Sequence, residues 1–153
     1  MRPLLLLFAA SSLSWSQVAD LPNIGEKFEI YMRDGYLAAF SRRLLVPYVN
    51  RSYAGINFRL AVNSDEFLVF ISTQDPNFRT PEHLGVGATS NEVFAAGGGA
   101  IVNEPGFPPY SPLPSGWCAQ FPERSMNCVG FSLPDAPETL LVTGFFKRSS
   151  SPA

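Results

Sequence analysis

The sequence predicts an α+β fold: two tandem units, each a helix followed by an antiparallel β-meander, joined in a mostly antiparallel sheet. Three observations predict it. Runs rich in β-branched, aromatic and aliphatic residues, bounded by turn formers, recur along the chain. Thr89-Ser90-Asn91-Glu92 has the spacing of a helix capping box. Residues 56–69 align with residues 129–142 at a constant offset of 73.

The elements follow in chain order. Met1-Arg2-Pro3 supplies one positive charge, residues 4–10 are unbroken apolar, and residues 11–19 turn small and polar. That order of regions reads as a secretory signal peptide over residues 1–19. The apolar run falls short of the roughly 20 residues that cross a bilayer. Nothing after Ala19 approaches that length, so the mature chain is expected to have no membrane span and to be secreted or periplasmic. Residues 28–40 form a mixed segment interrupted by Asp34-Gly35. It is a helix candidate, although residues 28–32 equally suit a strand. Residues 43–49, 53–62 and 67–73 read as strands. In the second of these, Ile56, Phe58, Leu60 and Val62 alternate with smaller or polar residues, the period of a half-buried strand. Asn63-Ser64-Asp65-Glu66 is the turn into Phe67-Leu68-Val69-Phe70-Ile71, which is apolar throughout and suits a strand covered on both faces.

The helix signalled at Thr89 runs into Val93-Phe94-Ala95-Ala96 and stops at Gly97-Gly98-Gly99, about two turns in all. Residues 104–137 then hold eight prolines. Proline donates nothing to a ladder, so this stretch is expected to be an extended loop or an edge. Residues 128–133 and 139–146 complete the strands, and residues 149–153 form a small, polar, frayed tail. The predicted organisation is a signal peptide (1–19), one α+β domain (20–148) with repeats at 24–80 and 84–146, and a flexible tail (149–153). The repeat rests on Phe58/Phe131, Leu60/Leu133, Leu68/Leu141 and Val69/Val142, with Asp65 facing Glu138 in the turn.

The segment Leu84-Gly85-Val86-Gly87-Ala88-Thr89-Ser90-Asn91-Glu92-Val93, followed by glycines and strands, resembles the helix opening of small exported α+β repeat modules. The β-lactamase inhibitory protein and outer-membrane-assembly lipoprotein families are of this type. The similarity spans residues 24–146, with its specific part in residues 84–97. It implies the two-unit architecture and a binding module. The first unit departs from the pattern, because Gly25-Glu26-Lys27-Phe28-Glu29 lacks the Thr cap, so no functional residue carries over.

Composition excludes several classes. The chain of 153 residues carries 11 Lys+Arg and 13 Asp+Glu, and loss of residues 1–19 removes one arginine and no acid, leaving a net −3. That balance offers no cationic excess for nucleic acid. Apolar residues at 46% and charged residues at 16% exclude disorder. The two cysteines, Cys118 and Cys128, lie close together in the exported part and are expected to form a disulfide. They and the single histidine, His83, are too few for a zinc site, so no metal or cofactor is expected. The Asn50-Arg51-Ser52 triplet fits the N-glycosylation pattern, which matters only in a eukaryotic secretory route.

No motif carries catalysis. His83 with Ser90 or Ser115 is the nearest approach to a triad, and Asp65/Glu66 and Asp75/Glu82 are the available carboxylate pairs, all in turn-like segments. The remaining signal is aromatic. Phe107, Tyr110 and Trp117 sit among prolines, where rings held on a rigid loop suit binding anchors or fold back over the sheet. Tyr48 and Tyr53 hold comparable places in the first unit. The expected function is a non-catalytic, monomeric, protein-binding module, an inhibitor or immunity-type partner of an extracytoplasmic enzyme. A small exported hydrolase and an envelope structural subunit are the alternatives.

Overall fold

The computed structural model describes residues 18, 20–41, 44–123 and 139–150. These residues form one antiparallel sheet of seven strands. The strands are β1 (Gly35–Ser41), β2 (Leu44–Tyr53), β3 (Ile56–Val62), β4 (Leu68–Thr73), β5 (Tyr110–Pro112), β6 (Cys118–Gln120) and β7 (Gly144–Arg148). Their spatial order is β1-β2-β3-β4-β7-β6-β5, and the sheet is curled like half a barrel. The helix of the described residues, α1 (Ser90–Ala95), has six residues and lies in the connection between β4 and β5.

The expected α+β class, with two helix-plus-meander units, is therefore corrected to a mostly antiparallel β fold. The helix signal at Thr89 is real but local. The Thr89 hydroxyl accepts from Glu92 N at 3.1 Å, and the Glu92 carboxylate accepts from Thr89 N at 2.9 Å. Two glycines then turn the chain away: Gly97 and Gly98 donate back to Phe94 O and Val93 O at 3.0 and 2.9 Å. Thr89→Ala removes the cap and is expected to cost about 1 kcal/mol in denaturant unfolding, with the far-ultraviolet spectrum nearly unchanged because the sheet dominates it.

The helix candidate at residues 28–40 becomes an extended entry and β1. Asp34 decides this. Its amide donates to Tyr48 O at 2.8 Å and its carboxylate accepts from Asn50 N at 2.7 Å, so the chain is pinned alongside β2 before β1 begins. Cross-strand pairing thus outweighs a mixed helical propensity. The second unit also fails as a meander. Leu141 and Val142, matched to Leu68 and Val69 of β4, precede β7 and make only a single bridge, Thr89 with Leu141. The other half of that unit, residues 129–133, lies outside the described residues, as do Cys128, the end of the tail and the signal peptide apart from Val18.

The strands of the first half follow their residues closely. β2 and β3 are joined at Ala54-Gly55, both left-handed at φ 52 and 79, the conformation that suits the twist of a two-residue hairpin. The Asn63 side chain shapes the next turn by accepting from Asp65 N and Phe67 N, each at 3.0 Å. β4 is apolar on both faces because both are covered. Leu68 and Ile71 belong to one core, Val69 and Phe70 to the other. β7 repeats this: Phe145 and Phe146 point to opposite cores and are both fully buried.

The first core lies beneath the N-terminal segment and the long β4–β5 connection, with Phe78, Leu84 and Val93 packed down on it. The second core is closed by the curl of the sheet itself. Ala39 and Val46 come from one end of the sheet, Tyr110 and Phe107 from the other, and Phe146 from between them. Arg148 ties these ends together. Its guanidinium donates to Ala39 O of β1 at 3.1 Å and to the Tyr110 hydroxyl of β5 at 3.0 Å, and pairs with Glu104. Rings of Phe40, Phe107, Tyr110 and Phe146 surround it at 5.0 to 5.7 Å.

The expected Cys118–Cys128 disulfide has its second cysteine outside the described residues. Cys118 itself lies on the second-core face of β6. Burial pushes its thiol up to about 11, against the downward pull of Arg148.

Candidate functional site

A cleft of about 400 Å³ opens on the first-core side of the sheet, between the N-terminal segment and the β4–β7 pair. The floor is built by strand alternation. Ile71 of β4 pairs with Lys147 of β7, so the two side chains share a face. Beside them sits Trp117, placed by a tight turn in which Gly116 N bonds Leu113 O at 3.0 Å and Leu113 N bonds Trp117 O at 2.8 Å. Gly116 takes φ 96 there, a conformation few side chains tolerate.

Phe78 backs the cleft. It is buried, at centroid distances of 4.8 Å from Trp117, 5.7 Å from Phe58 and 5.6 Å from Phe145. Arg79 forms part of the rim. Its guanidinium donates to Pro76 O and Phe78 O, each at 2.8 Å, and lies so close over Gly85 that a Cβ there would stand 2.4 Å from Nη1. The far wall is Leu21 to Ile24, fixed to β4 by Gly25 N to Leu68 O and Leu68 N to Glu26 O, both 2.8 Å.

The electrostatics of the cleft centre on Lys147. Its ammonium lies 4.9 Å over the Trp117 ring. Burial pushes its pKa below the ordinary lysine value, with the charge of Glu82 opposing that shift. Yet Glu82 forms no ion pair with it. The Glu82 carboxylate is taken by Ser115, accepting from its amide at 2.7 Å and its hydroxyl at 2.9 Å. Among the described residues the ion pair is Arg148–Glu104, on the opposite face of the sheet. The cleft therefore combines apolar and aromatic walls with an ammonium whose three donors no carboxylate of the described chain satisfies. That is recognition chemistry for an acceptor-bearing, partly apolar ligand, at a volume usual for small-ligand sites.

The structure separates the aromatic residues singled out in the sequence. Phe107, Tyr110 and Trp117 are 7%, 8% and 5% exposed, so they are core residues rather than presented anchors. The reason is pairing: β5 adds to β6, Val102 bridges Tyr110, and the Pro-rich stretch is drawn down onto the sheet. Phe107 and Tyr110 stack edge-on against Phe146, each at 5.0 Å. Of the three, only Trp117 lines the cleft. Tyr48 and Tyr53 are half-buried. Tyr48 carries the Arg59 guanidinium at 5.1 Å, and Tyr53 packs on Phe58 at 6.1 Å.

The groups weighed for catalysis are also dispersed. His83 is exposed and left-handed at φ 69, its amide bonded to Thr80 O at 2.8 Å. Ser90 Oγ accepts from Leu140 N at 3.2 Å. Asp75 lies in a separate, wider depression of about 490 Å³, where amides of Asn57 and Asn77 hold its carboxyl below the usual range. Among the described residues, no three His, Cys, Asp or Glu side chains meet to hold a metal ion. Nor is any described helix long and apolar enough to cross a membrane.

Lys147, Phe78 and Arg79 were not singled out by motif. Lys147 was nevertheless readable: in Phe145-Phe146-Lys147-Arg148 the strand period puts a cation on the face of Phe145. The described residues define an antiparallel β protein built on one sheet, with a ligand-sized cleft beside the β4–β7 pair. Compared with protein families, curated proteins and solved structures, the chain matches none of them.

Proposed function

We propose that the chain is an exported, non-catalytic protein-binding module that holds a segment of an extracytoplasmic partner in the Lys147–Trp117 cleft, as an inhibitor or immunity-type protein would. The observation that carries this reading is the half-buried ammonium of Lys147 over an aromatic floor, with no carboxylate paired to it among the described residues. The charged start, apolar run and small-residue zone of residues 1–19 support export.

The reading is tested by capture from the exported fraction of the producing cell with tagged protein and two variants. Lys147→Glu reverses the charge at the cleft and is expected to reduce capture of the partner at least about tenfold. Tyr36→Ser, on the exposed face of edge strand β1 (52% exposed), is expected to leave capture intact. Retention by Lys147→Glu together with loss by Tyr36→Ser would overturn the cleft as the binding site.

A further inference from the structure

The cleft is more specific than a generic docking pocket. Resting on the binding-module reading above, we infer that it accepts a peptide carboxylate borne on an apolar residue, with the carboxylate on Lys147 Nζ and the apolar side chain against Trp117 and Ile71.

Three features select this chemistry. The first is sign. Two cations, Lys147 and Arg79, line the cleft, and no acidic side chain does. Glu82 stands near Lys147 but is spent on the amide and hydroxyl of Ser115. A bound carboxylate would gain charge-assisted hydrogen bonds from an ammonium that makes none to the described chain. The second is the division of labour between the cations. Arg79 spends its Nη1 on Pro76 O and Phe78 O and is held over Gly85, so the guanidinium is fixed in place, shapes the rim and contributes a positive field. Lys147 sits on a flexible stem at the floor and is free to turn its donors toward a ligand. The third is the mixture of linings. Ile71, Phe78, Trp117, Leu21 and Ile24 supply apolar surface, and Asn23, whose amide nitrogen is spent on the Glu26 carboxylate, keeps its side-chain oxygen as an acceptor at the same wall. The Ser115 hydroxyl is already spent on Glu82. A bare acyl chain has no donor to offer the Asn23 oxygen, whereas a peptide has its own N–H groups.

Calorimetric titration of the processed, exported protein with N-acetyl-phenylalanine, its carboxamide and octanoate separates the sources of this chemistry. The free acid is expected to bind with a dissociation constant of about 1 mM, as befits so small a ligand. The carboxamide, identical in shape but uncharged, is expected to bind at least about tenfold more weakly. Lys147→Met keeps the stem and removes the charge, and is expected to erase the difference between acid and amide. Lys147→Arg is expected to restore it. Octanoate binding as tightly as N-acetyl-phenylalanine would assign the cleft to acyl carboxylates and overturn the peptide assignment. Equal binding of acid and amide, or no binding of either at about 10 mM, would overturn the inference outright. Were the partner still captured through Lys147 in that last case, the binding-module reading would stand and only the ligand chemistry would fall. Carboxylate-selective peptide binding without any Lys147-dependent partner would give the reverse result.

Discussion

Phe78→Ala is expected to lower the unfolding free energy by about 4 kcal/mol, and the melting temperature by about 12 °C. Phe78 is 2% exposed and carries the turn after β4 into the first core. Its ring meets Phe58 of β3, Phe145 of β7 and Trp117 before β6, and so joins three parts of the sheet through one residue. Truncation leaves a ring-sized void beneath a rigid sheet, which relaxes little, and such sites stand at the costly end of the large-to-small range. Phe78→Leu, closer in volume, is expected to cost about 1.5 kcal/mol. Trp117 reports the difference: once its backing is gone, its emission shifts to the red in the native state of the alanine variant and much less in the leucine variant. Denaturant melts followed by circular dichroism and by tryptophan emission measure both quantities.

Arg148→Met is expected to cost about 3 kcal/mol. The pair it breaks is largely but not wholly shielded, with side-chain exposures of 18% for Arg148 and 29% for Glu104, which places the cost at the lower end for a buried pair. Methionine preserves apolar contact with the surrounding rings. What is lost is the charge that neutralises Glu104, one bond to Tyr110 and one to Ala39 O. The link between the two ends of the sheet goes with them. A double-mutant cycle with Glu104→Gln is expected to give a coupling of about 1–2 kcal/mol, because each single change strands the other member of the pair.

The pH dependence gives this clasp a signature. Burial pushes the Glu104 carboxyl up, but bonds from Arg148 and Tyr110, with the Arg148 charge, outweigh burial and hold it below the ordinary value. A depressed folded value means stability that is present above the unfolded carboxylate range and is lost as pH falls through the folded value. Tyr110 moves oppositely: burial, then the bond to Glu104, pushes it up to about 12. Its contribution is complete below the ordinary tyrosine value and is lost as pH rises toward about 12. Arg148→Met is therefore expected to flatten the acid limb of the stability curve, since Glu104 loses the partner that made its anion favourable.

What the sequence disclosed, and what it hid, divides along the range of the interactions. β2, β3 and β4 were legible because their signals are local: period 2 in Ile56 to Val62, turn residues at Asn63, and an apolar run covered on both faces. The capping box at Thr89 was legible for the same reason. The fold class was not, because the length of α1 and the fate of residues 28–40 are settled by contacts far along the chain, such as Asp34 with Asn50 and Tyr48. Of the residues aligned in the repeat, Phe131 and Leu133 lie outside the described residues, and the described pairs differ in setting. Leu68 and Val69 enter a ladder, whereas Leu141 and Val142 meet the loop before α1. At the site, aromatic residues in a Pro-rich stretch drew attention for their composition. Their burial follows from β5 pairing with β6, which no local signal announces. The strand period places Lys147 on the face of Phe145, but a single cation there gains meaning only when Trp117 lies beneath it.

The claim that function resides in the Lys147–Trp117 cleft is tested most directly by site-specific photo-crosslinking within the exported fraction. A benzophenone side chain is placed at Pro81, exposed on the rim of the cleft, and separately at Tyr36, on the outer edge strand. A discrete adduct from position 81, suppressed by excess N-acetyl-phenylalanine and missing from position 36, is the predicted result. An adduct from position 36 alone, or one from position 81 that excess ligand leaves unchanged, would contradict it.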